Sequence, residues 1–303
     1  DAMLAADPDS EALLVQLARF YLAKNRTDQA VQELKIGLRQ IEKSYDLHLV
    51  LSEVYRQRNQ LPEAIAILED ALLLDDDPTA ADNLRVQNAL ARIYFATGDL
   101  PAAEAYIDAV LEADVRNADA SFLKGRLHLM RNQVPQAVAA FRTVVMQRPD
   151  FIEGHLRLAD AQVRNQQVDA ALDTLTVALN ERPDSAELLT ALYRVYLVKK
   201  DFKKAEALLQ TLLNRNPDDV KVQAELGDFY LALEQPEQAR REYNEIKRKA
   251  PDAALGYIKL SQLYRRQGDE AAAVAELEAG YRQHPRSAAL LESLIQFYVD
   301  RQQ

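Results

Sequence analysis

The chain has 303 residues, of which 48% are hydrophobic and 28% charged, and its formal net charge is −10. This acidic balance argues against a nucleic-acid binder, because a phosphate backbone requires clustered Lys and Arg. Cysteine is absent, which excludes disulfides, thiolate metal ligands and cysteine nucleophiles. No apolar stretch approaches the roughly 18 residues of a membrane-spanning helix, so the sequence predicts no membrane span in this segment.

The composition favours α-helix throughout. Ala, Leu, Gln, Glu and Arg are abundant, Gly occurs only 8 times and Trp is absent. Runs of β-branched residues bounded by Gly and Pro, the usual mark of strands, are missing. We therefore expect an all-α protein with enough apolar residues for a continuous core.

A 34-residue period organises most of the chain. One proline recurs at that interval, at Pro149, Pro183, Pro217, Pro251 and Pro285. An alanine precedes each of these prolines by a constant distance, at Ala137, Ala171, Ala205, Ala239 and Ala273. A tyrosine recurs in the first part of most units, at Tyr21, Tyr55, Tyr94, Tyr196, Tyr230, Tyr264 and Tyr298. Coincident signals at one period predict stacked repeats that share a core.

These features resemble the tetratricopeptide repeat, and the resemblance covers essentially the whole chain. Eight full repeats begin near residues 11, 45, 84, 118, 152, 186, 220 and 254. Residues 1–10 correspond to the end of a preceding repeat, and residues 288–303 to the first helix of a further one. The resemblance implies one continuous array over 1–303, a right-handed α-solenoid of about seventeen antiparallel helices. It also implies that the first helices line a concave groove.

Small residues in the first helix, such as Gly125 and Gly227, are expected to let the two helices of a repeat approach closely. Three departures stand out. Tyr193 replaces the small residue of repeat six, which should push the helices apart or turn the ring outward. His128 and Gln162 replace the recurrent tyrosine. Between repeats two and three the period stretches to 39 residues, which predicts an extra helical turn near Asp75-Asp76-Asp77.

The last segment has no polar capping pattern. Leu290, Leu291, Ile295 and Phe297 are expected to leave apolar surface exposed. Terminal repeats of solenoids are normally atypical and polar. We therefore expect the chain to be a segment of a longer array.

No motif predicts catalysis, a cofactor or a metal. The four histidines are scattered, and no pair has the i, i+4 spacing of a helical zinc site. Gly-rich phosphate loops and nucleophile elbows are missing. The sequence thus predicts a protein that is not an enzyme. The alternative hypothesis is a regulatory module of a larger enzyme or sensor whose catalytic domain lies outside this segment.

In this family, positions 2, 5, 9, 12 and 13 of each first helix face the groove. Repeats three and four place there a set rich in Arg and aromatics, the residue types enriched at binding hot spots. This candidate partner-binding set is Arg85, Asn88, Arg92, Phe95, Phe122, Arg126, Leu129 and Met130. We predict a scaffold that binds a peptide or helix with acidic and apolar side chains. Truncation of these groove residues is expected to leave the fold intact.

A narrower resemblance concerns the segment Gly256-Tyr257-Ile258-Lys259-Leu260, which is similar to arrays in bacterial exopolysaccharide-export and protein-sorting lipoproteins. It implies a role in envelope export or assembly. The absence of cysteine suits an oxidising periplasm, and it suits a cytosol almost as well. The sequence thus favours the periplasm or the outer-membrane periphery over the cytoplasm, and leaves the compartment open.

Overall fold

The computed structural model describes residues 10–41, 43–250 and 254–300, and over these ranges it contains seventeen α-helices and no strand. The all-α prediction is confirmed. By its contacts the chain divides into two compact halves, and the division falls between Gln167 and Val168 in the sequence. None of the described helices is both long and apolar enough to cross a membrane.

The N-terminal half contains α1 (Glu11–Ala23), α2 (Thr27–Gln40), α3 (Tyr45–Gln57), α4 (Leu61–Leu72), α5 (Ala81–Thr97), α6 (Leu100–Ala113), α7 (Ala118–Met130), α8 (Val134–Gln147) and α9 (Ile152–Arg164). Within this half, each second helix packs on the first helix of its repeat and on the first helix of the next repeat. The first helices α3, α5 and α7 also contact one another in sequence. They therefore lie side by side.

The C-terminal half contains α10 (Val168–Glu181), α11 (Ala186–Lys199), α12 (Phe202–Arg215), α13 (Val220–Ala232), α14 (Pro236–Lys249), α15 (Leu255–Arg266), α16 (Glu270–Gln283) and α17 (Ala288–Asp300). Here too, consecutive helices pack on one another through to α17. In both halves, a helix begins within three residues of each predicted repeat start. Residues 1–9, predicted to end a preceding repeat, lie outside the described residues. A single continuous array and its right-handed superhelix stay predictions.

A residue with positive φ separates the two helices of every repeat. Its φ lies between 56° and 86°, at Asn25, Asn59, Gly98, Asn132, Gln166, Lys200, Glu234 and Gly268. A left-handed residue is a common way to end a helix. The second helix begins two residues later in each case. The polar turns seen in the sequence are therefore very tight.

The close approach of paired helices is clearest at Gly125 and Gly227. A Cβ at Gly125 would lie 2.7 Å from Cε1 of Phe141, a ring on the second helix of the same repeat. A Cβ at Gly227 would overlap the ring of Tyr243 in the same way. Both rings are fully buried. Glycine is needed at these two positions because the facing residue is aromatic.

Repeat one balances the same space differently. Its first helix carries Ala18 at this position, and Ala18 shares a core cluster with Leu34 of the second helix, both fully buried. Total volume at the crossing is thus kept roughly constant, as close packing requires.

Tyr193 does not turn outward. Its side chain is only 6% exposed and packs with Ala205 and Leu209 of its own repeat. The ring also meets Phe229 of the next repeat edge-on, with centroids 6.5 Å apart. The prediction of an outward ring is wrong, because the neighbouring repeat offers an apolar site for it.

The stretched repeat contains a loop followed by a longer helix. Residues 73–80 are not helical, and α5 has 17 residues where α3 has 13. The extra turn lies at the start of α5, after the acidic run. Asn83 fixes the loop, since its Nδ2 donates to the carbonyls of Asp75 (3.0 Å) and Asp77 (2.6 Å).

The expectation for the last helix is partly wrong. Leu290 and Phe297 are buried, at 0% and 1% exposure, because they face α16 and the preceding repeat. Leu291 and Ile295 are exposed as expected, and Val299 extends their stripe by one turn. The apolar surface thus lies on one face of α17.

A partly buried ion-pair cluster joins α6 to α7 and the turn after it. Glu104 accepts two hydrogen bonds from Arg131 (2.7 and 2.6 Å) and one from Lys124 (3.1 Å). These bonds, led by those from Arg131, lower the pKa of Glu104 to about 2. The lowered pKa stabilises the fold above the unfolded value near 4.5, and this contribution is lost as the pH falls toward 2.

We therefore expect Glu104→Gln to lower the free energy of unfolding by about 1–2 kcal/mol at pH 7. The deficit should shrink as the pH falls from 4.5 to 2. Urea unfolding across this pH range measures it. Glu112→Gln is the control on the same helix, because that exposed carboxylate has no ion pair within the described residues. A deficit that does not change with pH would contradict the assignment.

Candidate partner-binding groove

A cavity of about 510 Å³ opens between α3, α5 and the start of α7. Apolar side chains of the two helices contribute to its lining, namely Leu49, Leu84, Ala89 and Ile93. Its charged lining residues are Glu53, Arg56, Arg85, Arg92, Asp114 and Asp119. The cavity thus offers an apolar surface together with charges of both signs.

The three arginines of the cavity differ in their pairing. Arg56 is held by Glu53, with Nε and Nη2 donating at 2.7 and 2.6 Å. Arg85 bridges Asp46 (2.5 Å) and Asp82 (2.7 Å). Arg92 makes no ion pair with any residue that the structure describes. Only Arg92 among the three is therefore available for a partner's carboxylate.

Asn88 connects the cavity to the next repeat. Its Nδ2 donates to Oδ1 of Asn117 at 3.1 Å, and that same oxygen caps α7 by accepting the N–H of Ala120. Asn88 is 6% exposed, and its own Oδ1 has no hydrogen-bond partner within the described ranges. Asn88 therefore fixes the spacing of α5 and α7 and is too buried to be a primary contact for a partner.

Arg126 lies over the ring of Phe95, with the guanidinium carbon 4.2 Å from the ring centroid. Phe95 is 9% exposed and belongs to the core, whereas Arg126 is exposed. Partial burial lowers the pKa of Arg126, and the positive charge of Arg157 adds to this. Arg126 has no ion pair in the described part of the chain. The stack holds a second unpaired guanidinium at the groove surface.

The remaining three predicted residues lie away from the cavity. Phe122 is half-buried and meets Phe141 and Phe151 edge-on, with centroids 5.8 and 5.5 Å apart. Leu129 packs against the same cluster. Met130 ends α7 and is 61% exposed. Of these, only Met130 presents a large apolar surface to solvent.

The predicted set is thus divided by the structure. Arg85, Asn88 and Arg92 line the cavity, Phe95 and Arg126 form a stack beside it, and the other three do not line it. Sequence reasoning missed Glu53 and Arg56. Both could have been found, because Glu53 and Arg56 are positions 9 and 12 of repeat two, and these positions face the groove in this family.

No group of three or more His, Asp or Glu side chains within the described residues is placed to hold a metal ion.

Tetratricopeptide-repeat family models match most of the sequence up to residue 263. One matches residues 1–44, 128–195 and 196–263, more than half of the chain. Two others match residues 88–151 and 47–81. The chain belongs to the tetratricopeptide-repeat family.

Solved structures of the same fold resemble the chain at low sequence identity. A tetratricopeptide repeat protein from Parabacteroides merdae is 15% identical with a TM-score of 0.58, over 84% of this chain and 98% of that one. Yeast Tom70 is 16% identical with a TM-score of 0.55, over 92% of this chain and 59% of that one. The matching chain of the APC/C hetero-tetramer Cut9–Hcn1 is 17% identical with a TM-score of 0.52, over 96% of this chain and 56% of that one. The chain thus spans little more than half the length of the Tom70 and Cut9–Hcn1 chains that it matches. No curated protein matches its sequence.

Proposed function

We propose that this chain is a protein-interaction scaffold that binds a partner segment in the groove formed by α3, α5 and α7. One observation carries the proposal. Arg92 and Arg126 occupy position 9 of neighbouring first helices, and neither has an ion pair within the described residues. Unpaired arginines on adjacent helices favour an acidic partner, because guanidinium and carboxylate bind bidentately.

The apolar surroundings favour a partner that also carries apolar side chains. Leu49 and Leu84 line the cavity, and Met130 is exposed at the end of α7. The cavity volume of about 510 Å³ falls within the range of ligand pockets, roughly 300–1,000 Å³. A helix or an extended segment could place one anchoring side chain there.

Membership of the tetratricopeptide-repeat family supports a scaffold, and one structural neighbour, Cut9–Hcn1, is a complex of two different proteins. We further propose a setting in bacterial envelope export or assembly, on the basis of the absent cysteine and the repeat-level similarity given above. Fractionation of cells that produce the native protein tests this setting, and a purely cytosolic product would contradict it.

Selection of peptides from a displayed random library tests the groove directly. We expect selected peptides to be enriched in Asp and Glu beside Leu, Ile or Phe. Arg92→Ala or Arg126→Ala should each weaken their binding by about 1–3 kcal/mol, as measured by calorimetry.

Arg142→Ala is the matched control, since Arg142 is exposed on the second helix α8 and its loss changes the net charge equally. Selected peptides that bind all four proteins alike would show that the groove is not the site. Equal weakening by the control would show a charge effect without a site.

A further inference from the structure

Glu53 lies where a partner's carboxylate would have to approach. It lines the cavity together with Arg92 and accepts hydrogen bonds from Arg56 (2.7 and 2.6 Å) and Gln57 (3.0 Å). The hydrogen bond from Arg56 contributes most to lowering the pKa of Glu53, and the positive charge of Arg92 also lowers it. The field of Arg92 therefore already acts on a carboxylate of the chain itself.

Glu53 also occupies position 9 of its repeat, the same place as Arg92 and Arg126 in the next two. The first helices α3, α5 and α7 thus present Glu, Arg and Arg at equivalent points of neighbouring helices. The groove carries a change of charge between repeats two and three. Arg56 offsets part of the charge of Glu53, and Asp114 and Asp119 also line the cavity. A partner's carboxylate that approaches Arg92 therefore meets an acidic side chain of the chain itself.

The acids beside Arg85 act differently. Asp46 and Asp82 both bind Arg85, and neither lines the cavity. Glu53 does line it, and its side chain is 44% exposed. It is the one glutamate or aspartate that faces the cavity from α3.

We infer that Glu53 is an internal competitor that sets how acidic a partner must be to bind. It keeps Arg56 occupied and opposes any carboxylate that approaches Arg92. A strongly acidic segment overcomes this repulsion, and a weakly acidic one does not. Glu53 therefore lowers the affinity for weakly acidic partners and makes the groove more selective. The inference rests on the proposed function, because it requires an acidic partner at Arg92.

The test compares two peptides on four proteins. The first peptide is an acidic one selected on the native chain, and the second carries Gln or Asn in place of its Glu or Asp. Glu53→Gln should bind the acidic peptide roughly three- to tenfold more tightly, the effect of removing one nearby unit charge at a protein surface. Its affinity for the amide peptide should not change. The gain should fall in 1 M NaCl, where the Debye length is about 3 Å.

Glu245→Gln is a closely matched control. Glu245 pairs with Arg248 at i+3, as Glu53 pairs with Arg56, and its side chain is 42% exposed, but it lies on the second helix α14. It should alter neither affinity. Both pairs are exposed, so neither substitution should affect folding.

The fourth protein, Arg92→Ala, separates the two ways of failing. Suppose that Arg92→Ala weakens binding of the acidic peptide, but Glu53→Gln either has no effect or strengthens binding of both peptides equally. The proposed groove is then supported and the role of Glu53 is overturned. If no selected peptide depends on Arg92, the proposed function and this inference fall together.

Discussion

Gly125→Ala should lower the free energy of unfolding by about 1–2 kcal/mol, although glycine to alanine in a helix normally stabilises by about 1 kcal/mol. The new methyl group would lie 2.7–2.9 Å from three atoms of the Phe141 ring. That ring is fully buried, so the side chains around it oppose its displacement. Overpacking of this kind costs about 1–3 kcal/mol, which exceeds the gain in helix propensity.

A second substitution shows whether the contact is the cause. Gly125→Ala with Phe141→Leu recreates the Ala–Leu combination of repeat one, where Ala18 and Leu34 are both fully buried. We expect the pair to be coupled by at least about 1 kcal/mol, since the two side chains touch. Urea unfolding of the four proteins gives this coupling. A stabilising Gly125→Ala would show that the helices are not in close contact here.

Phe95→Ala should also destabilise the chain, by about 2–4 kcal/mol. Phe95 is only 9% exposed and packs with Ala103 and Ile107 in the core. Its loss would also remove the stack that holds Arg126. The burial of Phe95 thus argues against the sequence-based expectation that truncation of this groove residue leaves the fold intact.

Met130→Ala is the comparison for this change. Met130 belonged to the same predicted set but is 61% exposed, so its truncation should alter stability by no more than about 0.5 kcal/mol. Thermal unfolding of both variants measures the contrast. Equal melting temperatures would contradict the burial of Phe95.

Repeat boundaries could be predicted from the sequence because a fixed period leaves many coincident signals. The close contact at Gly125 followed from the recurring small position. Its contact partner, Phe141, could not be predicted, because the sequence does not show that this residue of the second helix faces Gly125. Tyr193 shows the same limit, since the site for its ring is supplied by Phe229 of another repeat.

The groove could be predicted only in part, for a related reason. Position counting says which residues point toward the neighbouring first helix, and it cannot say which are covered by that helix. Phe95 is covered by Arg126, whereas Arg92 is left open. Pairing across repeats is also hidden in the sequence. Arg85 is neutralised by Asp46, a residue 39 positions earlier.

The most direct measurement of the central claim is a double-mutant cycle between Arg92 and the carboxylate of a selected peptide. Calorimetry gives the affinity of the native chain and of Arg92→Ala for the acidic peptide and for a counterpart with one Glu changed to Gln. If that carboxylate sits on Arg92, the two changes should be coupled by about 1–3 kcal/mol. A coupling energy of zero at every acidic position of the peptide would show that its carboxylates bind elsewhere and would contradict the proposed groove.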